Sequence, residues 1–183
     1  MKARGRVTQP ISLRARGVQW LAQREHSASE LRQKLLRHAR VLQAADSFAQ
    51  SDPSVSDVQA IDWPAAVEDA LAWLTAQGYL SDARFLQSRV HVRAQRYGNL
   101  RIRQELAEHH LELPAEIASV LQASETDRAL DVHRRKFANP PRDPAESAKQ
   151  ARFLIQRGFS AEVVRRVLRE ANKQQRQGED DPG

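Results

Sequence analysis

Val67-Glu68-Asp69-Ala70-Leu71-Ala72-Trp73-Leu74-Thr75-Ala76-Gln77-Gly78 is the stretch on which the fold turns. Val67, Ala70, Leu71 and Leu74 recur at i, i+3, i+4 and i+7, which gathers them on one face of a helix but scatters them over both faces of a strand. Gly78 stops that helix. The same stripe returns as Val163, Val164, Val167 and Leu168 after the N-cap Ser160, and more briefly as Ile117, Val120 and Leu121 after Pro114. Another amphipathic segment precedes each of the three. Ser27-Ala28-Ser29-Glu30 is a capping box opening onto Leu31 and Leu35, Ile102 and Leu106 repeat the spacing, and Ala151 leads to Leu154 and Ile155, with Gln150 the poorest fit.

Such recurrence implies a repeat. Leu35 and Leu106 lie 71 positions apart, whereas Leu106 and Leu154 lie 48 apart. Residues 41–62 explain the difference: VLQAADSFAQSDPSVSDVQAID is rich in Ala, Ser, Asp and Gln, contains Pro53, and reads as a loop insertion. Without those 22 residues the first interval shrinks to 49. A unit of that size holds about three short helices. The expected fold is all-α, with three tandem three-helix repeats at 13–78 (carrying the insertion 41–62), 79–122 and 124–171, stacked into an elongated, curved array of either hand. Residues 1–12 are expected to be a basic N-terminal tail and 172–183 a disordered polar tail.

Composition agrees with helices. The 183 residues are 40% hydrophobic, 28% charged and only 5% aromatic, and 29 Lys and Arg against 23 Asp and Glu leave a net charge of +6, suited to a polyanionic partner or an anionic surface. The absence of cysteine excludes disulfides, thiolate metal sites and thiol catalysis. Met1-Lys2-Ala3-Arg4-Gly5-Arg6 is basic without the apolar run of a signal peptide, and no eighteen apolar residues run together, so a soluble cytoplasmic protein without membrane association is expected. The glycines never form GxG, and neither a phosphate loop nor HExxH spacing occurs. No enzyme, cofactor or metal site is expected. His109 and His110 are adjacent, cannot share a helix face and read as a surface pair, while Trp20, Trp63 and Trp73 read as packing residues.

The most polarised stretch contains Arg84, Arg89, Arg93, Arg96, Arg101 and Arg103 and no acidic residue. On a helix from Asp82 to Tyr97, Arg89, Arg93 and Arg96 fall at i, i+4 and i+7 and project from one side. Gly98 and Asn99 break that helix, and Arg101 and Arg103 follow in the first turn of the next. Guanidinium forks suit phosphates and carboxylates alike, so the six arginines are candidates for binding an anion of either kind. The plainer alternative is a solvated face whose aliphatic stems cover Phe85, Leu86, Val90 and Tyr97. Tyr97 could stack on a base or belong to the core.

Gln77-Gly78-Tyr79-Leu80-Ser81-Asp82-Ala83-Arg84-Phe85, then Ser88-Arg89-Val90 and GNLRIRQEL over 98–106, resemble the central signature of the RecX family. Arg24-Glu25-His26-Ser27 with Glu30-Leu31 and Lys34-Leu35 resembles its first-unit pattern, and Phe153 to Ser160 (FLIQRGFS) its third-unit turn. The resemblance runs from about 13 to 171. It departs at the 41–62 insertion, at Leu86 in place of a small residue, and at His109-His110-Leu111 in place of Lys-Gly-Ile. The resemblance implies a non-enzymatic monomer, without cofactor, that binds the RecA filament and the single-stranded DNA within it, inhibits RecA ATP hydrolysis and strand exchange, and so acts in DNA recombination, DNA repair and the SOS response. Under it the six arginines become RecA- or DNA-binding residues. A free-standing basic DNA-binding protein and a helical scaffold are the competing classes.

Overall fold

The computed structural model of the chain describes residues 11–49 and 61–179. Nearly all of the expected N-terminal tail, residues 50–60 of the insertion and residues 180–183 therefore lie outside the described residues. The regular elements among the described residues are all helices: α1 (Leu13–Leu21), α2 (Ala28–Ala49), α3 (Trp63–Ala76), α4 (Asp82–Ala94), α5 (Asn99–Glu108), α6 (Ala115–Lys136), α7 (Pro144–Gln156) and α8 (Ala161–Glu179). They form two compact units that meet in sequence between Phe85 and Leu86.

In the first unit α1, α2 and α3 bury Leu13, Leu31, Leu35, Leu42 and the Val67, Ala70, Leu71, Leu74 stripe in one core. Trp20, Trp63 and Trp73 pack against its edge. The helix ends are held by side chains. Ser27 Oγ accepts from Glu30 N (3.1 Å), and Asp82 Oδ1, at the start of α4, accepts from Ala28 N (2.8 Å), so the first turn of α2 has acceptors from two segments. Glu30 also receives Arg24, and its Oε2 lies 3.1 Å from Nδ1 of the buried His26. Lys34 Nζ stands 3.4 Å from His26 Nε2 and 4.6 Å from the centre of the Trp20 ring.

The second unit holds two apolar clusters threaded by one helix. Leu121, toward the N-terminal end of α6, joins Leu86 and Val90 of α4 and Ile102 and Leu106 of α5. Ala129 and Val132, near the other end, join Leu154 of α7, Phe159, and Val163, Val164 and Val167 of α8. Gln150 is buried on the α7 core face because its Oε1 pairs with His133 Nε2 (2.6 Å) and its Nε2 donates to Asn139 O (3.2 Å).

Two expectations, the start of the insertion and the C-terminal tail, need correction. The insertion does not begin at Val41: α2 continues through Ala49, as the helix-favouring Val41-Leu42-Gln43-Ala44-Ala45 run permits, so the expected loop starts inside a helix. The expected C-terminal tail is helical as far as Glu179: Lys173 to Gln177 are straight-chain residues that favour a helix, and the helix runs on through Gly178. Apart from these, α6 runs unbroken across residues 122–124, with no Gly or Pro from Ala115 to Lys136, so one helix is shared across the expected repeat boundary.

At the end of α5, His110 adopts a left-handed backbone (φ 58°), and Leu111 N donates to Leu106 O (3.0 Å). Glycine is the residue that this geometry favours, so His110→Gly should stabilise the chain by about 1 kcal/mol in urea denaturation. The His26 network makes a second prediction. Burial, then the Arg24 and Lys34 charges, outweigh Glu30 and hold the His26 imidazole below its ordinary 6.5. Burial pushes Glu30 up, but Arg24 and His26 outweigh it and hold the carboxyl below 4.5. Both groups bind protons more readily in the unfolded chain. The stability due to His26 is complete above pH 6.5 and is lost as pH falls through its depressed folded value; the Glu30 contribution follows below pH 4.5. Urea midpoints measured against pH should show both losses, and His26→Gln should remove the first and weaken the second, which Arg24 alone would then sustain.

Candidate functional site

The corner between α4 and α5 is built by residues of α6. The last carbonyls of a helix and the first amides of the next need outside partners. Arg128 supplies donors to the first set: its guanidinium reaches Ala94 O (3.1 Å) and Tyr97 O (2.9 Å), and also Leu121 O of its own helix (3.0 Å) and Asn99 Oδ1 (2.6 Å). Glu125, fully buried, supplies an acceptor to the second: its Oε1 takes Asn99 N at 2.9 Å. Burial lowers the pKa of Arg128, and Glu125 opposes that shift. On its other side the corner meets the α7–α8 turn. Gly98 N donates to Arg157 O (2.9 Å) and Leu100 N to Gly158 O (3.1 Å), and a Cβ on Gly98 would overlap the Gly158 carbonyl and Phe159 N. Gly158 in turn has φ +82°, and a Cβ there would overlap the Arg101 backbone.

The six candidate arginines have different partners. Arg84 is a staple of the α3–α4 turn: Nε pairs with Glu25 (2.8 Å), and Nη2 donates to Gly78 O and Tyr79 O (2.9 and 2.8 Å). Arg89 and Arg93 converge on Glu105 of α5, at 2.8 and 2.6 Å from the same Oε1. The Glu105 hydrogen bond raises the Arg93 pKa. Arg96 lies beyond the end of α4 rather than on the face that carries Arg89 and Arg93. It is exposed, as are Arg101 and Arg103, and none of these three has a carboxylate within ion-pair distance among the described residues. The carboxylate-free window in the sequence is therefore not carboxylate-free in space, because Glu105 stands two residues past its end.

Tyr97 belongs with the α4–α5–α6 cluster, as the core reading held. Its ring is surrounded by the guanidiniums of Arg93, Arg101 and Arg157 at 5.3, 5.4 and 5.5 Å from the centroid. Arg157 lies at the same time 4.9 Å from the Phe153 centroid. Beside Arg157 opens a concavity of about 270 Å³ lined by Gln95, Arg96, Val132, Arg135, Lys136, Phe153 and Arg157. Arg135, Lys136 and Arg157 were missed as site candidates because they are distant in sequence from the arginine stretch and their local sequence reads as helix termini. Among the described residues no cluster of His, Asp or Glu could hold a metal ion, and no helix is long and apolar enough to cross a membrane.

These features define a class: tandem three-helix domains presenting a cationic surface, with buried polar residues spent on joining helices. Two family models match the chain, the second three-helix domain of RecX over residues 81–112 and the third over 123–168. The chain is 43% identical to "Regulatory protein RecX" of Ralstonia nicotianae over 166 residues, 90% of this chain and 91% of that one. It is 43% identical to the protein of the same name from Herbaspirillum seropedicae, covering 94% and 97% of the two chains, and 39% identical to that of Ralstonia pickettii, covering 90% and 91%. The chain belongs to the RecX family.

Glu125→Ala should cost roughly 2–4 kcal/mol in urea denaturation, because it strands a buried amide and removes the charge that opposes Arg128 desolvation. Glu125→Gln keeps an acceptor and should cost less than half as much. Equal losses for the two would show that the carboxamide cannot replace the hydrogen bond to Asn99.

Proposed function

We propose that the protein binds the RecA nucleoprotein filament and restrains RecA, lowering its ATP hydrolysis and strand exchange without catalysing a reaction of its own. The observation that carries this reading is the relationship, along nine-tenths of the chain, to proteins named as RecX regulators. The exposed cations of the second unit support it. In this proposal the protein acts as a cytoplasmic monomer in recombination, repair and the SOS response, and Arg96, Arg101 and Arg103 face the filament. Arg84, Arg89 and Arg93 are paired with Glu25 and Glu105 instead and have no part in that contact.

The test is RecA-dependent ATP hydrolysis on single-stranded DNA with the protein added up to stoichiometric amounts. Hydrolysis and strand exchange should fall, and unchanged rates in excess protein with the matching RecA would sink the assignment. Replacing Arg96, Arg101 and Arg103 together by Gln should raise the concentration needed for half inhibition several-fold at unchanged helix content. A free-standing DNA-binding protein is the second reading, favoured by the cationic concavity at Arg157. It requires an equal affinity for DNA whether RecA is present or not.

A further inference from the structure

The concavity beside Arg157 is a different kind of basic surface from the arginine stretch. Four of its lining residues are cations, Arg96, Arg135, Lys136 and Arg157, and none is acidic. Val132 and Phe153 give it an apolar floor. Its guanidiniums are placed by main-chain oxygens rather than by carboxylates. Arg135 donates from Nε to Asp131 O (3.1 Å) and from Nη2 to Gln95 O (2.8 Å), and Arg157 donates from Nη1 to Arg96 O (3.3 Å). The Asp131 carboxylate is instead 4.0 Å from Arg134.

The plain explanation of such cations is that they complement helix C-termini, since Arg135 and Lys136 end α6, Arg157 caps α7 and Arg96 follows α4. A helix terminus carries about half an elementary charge. Carbonyls of that strength fix a guanidinium in place but leave most of four full positive charges uncompensated. Glu105 does the opposite for Arg89 and Arg93, neutralising them. The cup is therefore preorganised and still electrostatically unsatisfied, which is the condition for binding an oxyanion.

We propose that this cup receives the phosphodiester backbone of a single nucleic-acid strand. The cationic surface does not end at the cup: Arg157 and Arg101 both flank the Tyr97 ring, so positive charge continues from Arg135 and Lys136 through Arg157 to Arg101. A row of cations matches a ligand that repeats its charge along a chain better than it matches one protein carboxylate. Bases need not stack here, because Arg157 lies over both Phe153 and Tyr97, and binding should be indifferent to sequence. The proposal deepens the filament reading by naming what one part of the surface touches.

The experiment uses the full chain without RecA, so its failure leaves the ATPase test standing and the reverse also holds. Binding of fluorescein-labelled oligothymidylate is followed by anisotropy at increasing NaCl. Arg135→Gln with Lys136→Gln should reduce the slope of log affinity against log salt by about 1.4, from roughly 0.7 per lost contact, and Lys136→Gln alone by about 0.7. Arg89→Gln with Arg93→Gln should leave the slope unchanged. Cup variants that melt like the wild type and keep its slope would overturn the proposal, as would an equal loss from the Arg89 and Arg93 pair. Two competitors separate other sources of negative charge. Pyrophosphate that displaces the oligonucleotide no better than NaCl of equal ionic strength supports a strand as the ligand, and cup-dependent pyrophosphate binding with unaltered oligonucleotide binding overturns it. Loss of polyglutamate binding, with oligonucleotide binding kept, would assign the cup to an acidic protein surface instead.

Discussion

One turn of α6, from Glu125 to Arg128, holds the second unit together. A helix that ends and another that begins within four residues expose carbonyls and amides to the interior at the same point. Arg128 answers the carbonyls of Ala94 and Tyr97, and Glu125 answers the amide of Asn99. Burying two opposite charges is expensive unless each is fully hydrogen-bonded, and here the backbone supplies the bonds. Because the same helix carries Leu121 into one cluster and Ala129 and Val132 into the other, fixing this corner also relates the two three-helix groups of the unit. Gly98 and Gly158 complete the joint by allowing two backbones to touch where any side chain would separate them.

The corner also sorts the charges. By fixing where α5 starts, it sets Glu105 beside Arg89 and Arg93 and turns these two members of an apparent binding stripe into an ion-pair cluster. By fixing Gly98 on the α7–α8 turn, it brings Arg157 alongside Arg96 and Tyr97. What distinguishes the two groups of arginines is their partners. A carboxylate cancels a guanidinium, whereas a carbonyl aims it and leaves its charge to act on something else.

Much of the fold was legible along the chain. The 3.6-residue periodicity around Val67, Ile102 and Val163 marks helices whose apolar faces are buried as that spacing requires. The Ser27 cap could be read directly because capping is local, involving residues three positions apart. Gln150 looked like an error in its stripe because its partner, His133, lies on another helix. The extension of α2 to Ala49 was missed for the opposite reason: an Ala-rich run with polar neighbours has helix propensity but little amphipathic pattern, and pattern was the signal being read.

By itself the sequence determined that this protein is helical, repetitive and basic, where several of its helices begin, and which family it resembles. These properties depend on periodicity, caps and ordered motifs, all of which act over a few residues. Only the tertiary structure decided that one helix serves two domains, that Arg84, Arg89 and Arg93 are held by Glu25 and Glu105, and that Arg135, Lys136 and Arg157 join Arg96 around one concavity. The physical reason is that charge acts through space: whether an arginine is neutralised depends on what lies within about 4 Å of it. In this chain such a neighbour is up to 59 positions away, as Glu25 is from Arg84.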